Sequence, residues 1–150
     1  MRIFPSLSEL AQEQGKEIGV SEWLEISQQR INQFAEATGD HQWIHVDPER
    51  TRKELDMDTI AHGYLTMSLI PGFIYQVFEV TSVKRIINYG ANKIRFTNMV
   101  PVNSRLRGRI SLQRAVLSSS SLRAICDVVV EIEGQRKPAL KAEIITLMYE

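Results

Sequence analysis

All three histidines of the chain fall in two short segments that also hold acidic and glycine residues. The first segment, residues 39–48, places Asp40 and His45 five positions apart; the second, residues 60–63, ends in Gly63. A carboxylate and an imidazole at this spacing form a candidate acid/base pair. A glycine amide at the start of a helix can stabilise a developing oxyanion. These residue types predict chemistry on a carbonyl compound.

Helix signals on either side of the first segment indicate how it is held. Ser27 is a good N-cap for a helix that Gly39 would end in the left-handed conformation. Asp47 is a good N-cap for a second, short helix, since Pro48 suits its first position. We therefore expect residues 40–47 to form a loop between two helix ends.

The loop prediction argues against a metal site. His41 and His45 have the i,i+4 spacing of a metal pair, but that spacing brings ligands together only on a helix. Because the first helix stops at Gly39 and the next starts at Pro48, we expect no metal here. His41 is then a polar loop residue.

A third helix is expected from Gly63 to about Val77. It is apolar on most sides, which is typical of a helix wrapped by other structure. Pro71 removes one backbone hydrogen bond and should kink it. The apolar run over 64–80 contains several polar residues and does not read as a membrane span.

Strands dominate the second half of the chain. Hydrophobic residues alternate with period two over 106–112 and 122–132. A weaker pattern over 16–26 is expected to hold a first strand, and turns are expected at 118–121 and 133–135. The later strand candidates are residues 82–89, 93–97, 105–116, 121–132 and 139–149. Consecutive strands without intervening helices predict an antiparallel sheet. The predicted class is α+β, with the sheet curled around one long central helix.

Composition narrows the classes of protein. The 150 residues fit one domain over 1–150, and 18 basic and 18 acidic residues cancel. That balance gives no electrostatic case for nucleic acid or for a membrane surface as partner. The single cysteine, Cys126, fits a reducing compartment and is expected to be buried filler in a strand. The first residues contain no long apolar stretch, so we expect no signal peptide and a cytoplasmic protein.

The pattern Gly39-Asp40-x-x-x-x-His45-x-Asp47, followed by Ala61-His62-Gly63, resembles the signature of the R-specific enoyl-CoA hydratases, in the MaoC-like group of hot-dog folds. Residues 37–47 are most similar to the nodulation protein N branch. The later segments Asn88-Tyr89-Gly90 and 95–102 are also similar to that branch. The resemblance covers nearly the whole chain.

The resemblance implies a single MaoC-like hot-dog domain that pairs as a homodimer. It implies reversible hydration of trans-2-enoyl thioesters to (R)-3-hydroxyacyl thioesters, without metal or redox cofactor. The carrier is coenzyme A or acyl carrier protein. The catalytic positions of the family fall on Asp40 and His45, and its oxyanion amide falls on Gly63. Ser68 and Asn88 are candidates to line the acyl or thioester pocket, with core or turn roles as the alternatives.

Two other functions compete with hydration. A hot-dog thioesterase usually carries an acidic residue on its central helix, but no Asp or Glu lies between Gly63 and Phe78. A non-catalytic acyl-binding protein would not need both Asp40 and His45. One departure from the family concerns residues 55–60, which lack the glycines and prolines common there and so put the acyl preference in question. His62 is expected to shape the turn into the helix rather than to touch substrate.

Overall fold

The computed structural model describes residues 1–150 as helices packed on one antiparallel sheet. The elements in chain order are β1 (Arg2–Phe4), α1 (Leu7–Ala11), β2 (Lys16–Val20), β3 (Leu24–Glu25), α2 (Gln28–Thr38), α3 (Trp43–Val46), α4 (Pro48–Leu55), α5 (Gly63–Ser68), α6 (Ile70–Val77), β4 (Phe78–Val80), β5 (Arg85–Phe96), β6 (Arg105–Leu117), β7 (Ser121–Ile132) and β8 (Leu140–Tyr149). The main sheet has the order β2-β6-β7-β8-β5, and β3 also pairs with β6. The expected α+β architecture with an antiparallel sheet is confirmed.

The long strands agree with the period-two patterns. The strand predicted over 121–132 coincides with β7, and β6 and β8 differ from prediction by one residue at one end. The prediction of two strands at 82–89 and 93–97 was wrong, because β5 continues through both. Its register against β8 shifts between Asn88 and Gly90, and again between Asn92 and Arg95. Such bulges bend a strand without ending it, which is why the pattern looked interrupted.

One face of this sheet forms the core with the helices. The residues of β7 alternate between buried and less buried positions, and Cys126 is one of the buried set. Burial raises the pKa of the Cys126 thiol to about 12, so the group stays protonated and unreactive at neutral pH. The expectation of buried filler in a strand is confirmed.

The N-terminal elements were not predicted. β1 pairs in parallel with β4. Arg2 lies opposite Phe78, which is 76 positions later in the chain. A three-residue strand has too little periodicity to be recognised, and its partner is distant in sequence. The strand expected within 16–26 is two strands, β2 and β3, so it is not the first of the chain.

The central helix is broken, as Pro71 predicts. α5 ends at Ser68 and α6 starts at Ile70, with Leu69 between them. Pro71 has no N–H to donate to the carbonyl four residues earlier, and its ring crowds that turn. The bonds on either side, Leu69 N–H to Leu65 O and Phe73 N–H to Leu69 O, are still made.

The central helix packs closely on the sheet through one side only. A Cβ on Gly108 of β6 would lie 2.7 Å from the Cβ of Phe73, so only glycine lets α6 approach the strand this closely. On the opposite side, Tyr64 and Tyr75 are 69% and 55% exposed. The sequence predicts a central helix that is covered on most sides. Within one chain, this helix is covered only on the side that faces the sheet.

The caps around the histidine segment follow the sequence signals. Ser27 Oγ accepts a hydrogen bond from Arg30 N–H at 3.3 Å, and Gly39 ends α2 with φ of 77°. Asp47 Oδ1 accepts from Arg50 N–H at 3.0 Å and caps α4. The expectation of an unbroken loop over 40–47 was wrong, because Trp43–Val46 forms the one-turn helix α3. A single turn between two caps is too short to leave a periodic pattern.

Strand β5 lies at one edge of the sheet and has most of its residues exposed. Among them, Ile86, Ile87, Tyr89 and Phe96 are large apolar side chains between 40% and 64% exposed. Exposed apolar side chains on a free strand edge mark a surface suited to pairing with another chain. No helix of the structure is long and apolar enough to cross a membrane.

Candidate functional site

His45 lies on α3 with 7% of its surface exposed, and its ring has a defined orientation. Its Nδ1 lies 2.7 Å from the carbonyl oxygen of Ile60. Since a carbonyl oxygen can only accept, Nδ1 carries the proton and donates it to this bond. The other ring nitrogen, Nε2, is then an acceptor in the neutral imidazole. This is the nitrogen that can take a proton from a bound molecule.

Burial lowers the pKa of His45 below its ordinary value, because desolvation disfavours the imidazolium. The hydrogen bond to Ile60 and the charge of Asp40 act in the opposite direction, and nearby His62 adds to the lowering. The net effect keeps His45 neutral at pH 7, with Nε2 available as an acceptor.

Asp40 follows the left-handed Gly39 and is exposed. One of its carboxylate oxygens and one ring nitrogen each of His45 and His62 all lie within 4.8 Å of one another. That separation suits one water molecule hydrogen-bonded to both the carboxylate and an imidazole. The main chain of Asp40 is held separately, since its carbonyl oxygen accepts from His62 Nε2 at 2.9 Å.

His62 is the N-cap residue of α5 and is only 2% exposed. Its ring stacks on that of His45, with centroids 3.9 Å apart and planes inclined by 27°. The ring of Phe34 from α2 packs on it at 5.0 Å. Its Nδ1 is buried and has no hydrogen-bond partner. The expectation that His62 shapes the start of the helix fits its N-cap position, but the ring also contacts both members of the predicted pair.

Gly63 is the first residue of α5 and lines a cavity of about 290 Å³ together with His45. Its amide N–H lies in the first turn of the helix, where no carbonyl of the same helix can accept it. A Cβ at this position would lie 3.0 Å from the ring of Phe96, which forms another wall. The absence of a side chain therefore keeps the cavity open beside the amide.

A hydrogen-bond network that leaves no signal in the sequence holds the main chain of His45. Gln28 Nε2 donates to the His45 carbonyl oxygen at 2.7 Å, and its Oε1 accepts from the hydroxyl of Thr59. Ile60 N–H also donates to Ile44 O at 3.1 Å. An uncharged glutamine at the start of a helix carries no motif, so only the folded chain shows its role.

The remaining cavity residues were also missed as site residues. Thr66, Asn98 and Met99 line the cavity with His45. Residues 95–102 are similar to a family branch, but no signal in their residue types assigns them to the site.

Ser68 and Asn88 do not line this cavity. Both line a separate groove of about 500 Å³ between α5 and β5, and Ser68 Oγ donates to Tyr64 O at 2.7 Å. The rings of Tyr64 and Phe96 meet edge to face at 5.7 Å between the groove and the cavity. Asn88 also lines another cavity, of about 560 Å³, which has no histidine in its wall.

Asp40, His45 and His62 are residue types that bind metal ions, and the geometry of their side chains decides whether they can do so together. His45 Nδ1 and His62 Nε2 are engaged by carbonyl oxygens, which leaves His45 Nε2 and His62 Nδ1. A metal lies in the plane of each imidazole that binds it, about 2 Å from the nitrogen. Stacked rings inclined by 27° do not have planes that meet so close to both nitrogens. The arrangement therefore fits an acid/base pair with a stacked neighbour better than a metal centre.

The chain matches known proteins over most of its length. The MaoC like domain family matches residues 9–131. The 3-hydroxyacyl-thioester dehydratase Z of Mycobacterium tuberculosis (strain ATCC 25618 / H37Rv) is 47% identical over 146 residues, 97% of each chain. The Nodulation protein N of Rhizobium leguminosarum bv. viciae is 39% identical over 146 residues, which cover 95% of this chain and 91% of the relative.

Two solved structures show the same fold. The unliganded R-hydratase PhaJ1 from Pseudomonas aeruginosa has a TM-score of 0.76 at 22% identity, covering 98% of this chain and 87% of that one. The (R)-hydratase from A. caviae has a TM-score of 0.69 at 20% identity, covering 89% and 97%. These similarities confirm the expected hot-dog fold.

The surroundings of His45 predict a lowered pKa that NMR can measure. A pH titration of the imidazole resonances should place the His45 pKa below about 6.5, the value of a free histidine. The unfolded chain then takes up this proton first, so stability should fall as pH drops from about 6.5 toward the folded pKa. A His45 pKa at or above 6.5 would contradict the effect of burial.

Proposed function

Because the chain belongs to the MaoC-like dehydratase family, we propose that it catalyses the reversible hydration of trans-2-enoyl thioesters to (R)-3-hydroxyacyl thioesters. The observation that carries the proposal is the proximity of the Asp40 carboxylate and the His45 imidazole, within 4.8 Å, beside a cavity that Gly63 also lines. The relative at 47% identity, a 3-hydroxyacyl-thioester dehydratase, supports this reaction class.

The pair would activate water. A water molecule held between Asp40 and His45 donates one O–H to each acceptor. As its oxygen bonds to C3 of the enoyl group, one O–H bond breaks and the pair takes the proton. The electron pair of the C2–C3 double bond moves to the thioester and forms an enolate. The proton held by the pair then passes to C2, so the sum of the steps is the addition of one water. The two groups act as a coupled unit.

The Gly63 amide would stabilise the enolate oxygen. The charge on that oxygen grows during C3–O bond formation, and a backbone N–H at the first position of a helix, which has no acceptor within that helix, can bond to it. Gly63 lies in the same cavity as His45, so the thioester carbonyl and the activated water can be bound together. Hydrogen bonds that form only as charge develops lower the barrier more than they strengthen substrate binding.

We place the acyl chain in the groove between α5 and β5. Its walls include the apolar side chains of Tyr64, Met67 and Ile144 as well as Ser68 and Asn88. Ser68 and Asn88 would then contact the acyl chain without taking part in the proton transfers. The carrier, coenzyme A or acyl carrier protein, would remain in solvent. We also propose a cytoplasmic location and a reaction without a cofactor. The single buried thiol is consistent with a reducing compartment.

The reaction can be tested directly with crotonyl-CoA. Loss of the enoyl absorbance, with (R)-3-hydroxybutyryl-CoA found by chiral analysis, is the expected result. Release of free coenzyme A without a hydroxyacyl product would indicate a thioesterase. Binding without turnover would indicate an acyl-binding protein. Either of these results would overturn the proposed hydration.

Substitution of the acid/base pair should abolish most turnover. Asp40→Asn and His45→Gln should each lower kcat on the order of a hundredfold or more, because each removes a proton acceptor. Thermal melting should change little in Asp40→Asn, since Asp40 is exposed. His41→Gln is the matched control, because His41 is an exposed histidine of the same segment, and should keep near-normal turnover. Near-normal activity in both pair variants would contradict the assignment.

The effect of Gly63 on the oxyanion can be tested apart from the effect of glycine on helix stability. Gly63→Val should lower kcat about tenfold or more, since its Cβ would press on the Phe96 ring beside the amide. Gly72→Ala in α6 is the control, because a Cβ there meets nothing within 4 Å and should stabilise the helix by about 0.5–1 kcal/mol. Steady-state kinetics and thermal melting measure the two effects. Equal losses of activity in both variants would argue against a special role for position 63.

The exposed β5 edge leads us to propose a homodimer. Two copies that pair along β5 would cover its apolar side chains and the exposed side of the central helix. Light scattering at micromolar concentration should give twice the mass of 17.2 kDa, or a multiple of that dimer. Ile87→Lys, which places a charge on β5, should shift the protein toward monomer. A fully active monomer in the unmodified protein would contradict this arrangement.

A further inference from the structure

His62 is unusual among the buried residues because histidine is costly at its position. The side chain is 2% exposed, yet its Nδ1 has no hydrogen-bond partner. A buried unpaired nitrogen destabilises a fold, and an apolar ring of similar size would avoid that cost. The apolar ring of Phe34 already packs on one side of His62. Core packing alone therefore does not account for an imidazole here.

The imidazole provides two contacts that reach the two proposed catalytic residues. Nε2–H donates to the main-chain oxygen of Asp40 at 2.9 Å and fixes the backbone that carries the carboxylate. The ring face stacks on His45 at 3.9 Å and fixes the plane in which Nε2 of His45 points. Because His62 is the N-cap of α5, both contacts originate one residue before Gly63.

We propose that His62 is a positioning residue, one that holds Asp40 and His45 in register with each other and with the Gly63 amide. The inference rests on the proposed hydratase activity of this site. His62 acts through its ring face and through its Nε2–H donor, while its Nδ1 makes no hydrogen bond. The titratable groups next to it are Asp40 and His45, and α2 contributes the uncharged Phe34.

Two substitutions separate the two contacts. His62→Phe keeps an aromatic ring against His45 but loses the hydrogen bond to Asp40. His62→Gln keeps a side-chain N–H donor but loses the stack. We expect kcat on crotonyl-CoA to fall about tenfold in His62→Phe, with KM changed less than threefold, and to be partly restored in His62→Gln. If the phenylalanine variant does not fold, the glutamine variant should still show a reduced kcat and a changed pH profile.

A double-mutant cycle distinguishes positioning from simple structural support. In an Asp40→Asn background, adding His62→Phe should cost much less than tenfold, because the carboxylate that His62 positions is already gone. A general loss of stability would reduce activity by the same factor in both backgrounds. Ile31→Ala, a destabilising change at a buried position of α2, is the control and should give equal factors. Equal factors for His62→Phe would overturn the proposal.

A readout that needs no substrate completes the test. His62 contributes to the lowered pKa of His45, so His62→Phe should raise the His45 pKa in an NMR titration. An unchanged titration would overturn the part of the proposal in which the His62 imidazole influences the state of His45. Inactivity of the unmodified protein on crotonyl-CoA would instead overturn the proposed function, while this titration would still decide whether His62 sets the state of His45.

Discussion

The hydrogen bond from His45 Nδ1 to the carbonyl oxygen of Ile60 is the interaction on which the site depends. It fixes the tautomer of the imidazole and so decides that Nε2 is the acceptor. It also joins the two segments that hold all the histidines, and a second bond, from Ile60 N–H to Ile44 O, runs in the reverse direction. This pair of bonds holds α3 next to the residues that precede the central helix.

The residues next to Ile60 are also held by main-chain hydrogen bonds to residues that follow β5. Ala61 N–H donates to Val100 O at 2.8 Å, and Val102 N–H donates to Thr59 O at 2.8 Å. The segment before α5 is therefore bonded both to α3 and to the chain that follows β5. Main-chain groups make most of these contacts, so the geometry is set by the fold and depends on few side chains.

The sequence predicted those parts of the protein that have local signals. Caps at Ser27, Gly39 and Asp47 set helix ends, and the alternation over 122–132 marks a strand with one buried face. Contacts between residues distant in sequence left no such signal. The parallel pairing of β1 with β4 and the support of His45 by Gln28 are of this kind.

The motif indicated which residues belong to the site, but it could not give their arrangement. Asp40 and His45 were paired by spacing and resemblance, whereas the stacking of His62 on His45 depends on how α5 approaches α3. Ser68 and Asn88 show the opposite case: their residue types suit a polar site, but both line the groove between α5 and β5, and the Tyr64–Phe96 contact lies between that groove and the cavity. Residue type is visible in a sequence, while orientation follows only from packing.

The close contact between Gly108 and Phe73 has a consequence for how this chain can vary. A Cβ at position 108 would overlap the Cβ of Phe73, so any other residue there has to lift α6 from the sheet. The buried positions two residues away on the same face, Leu106 and Ile110, can exchange one apolar residue for another, but Gly108 has no substitute of similar size. The sequence is therefore restricted at a position that does not line the His45 cavity, at a residue that has no side chain of its own.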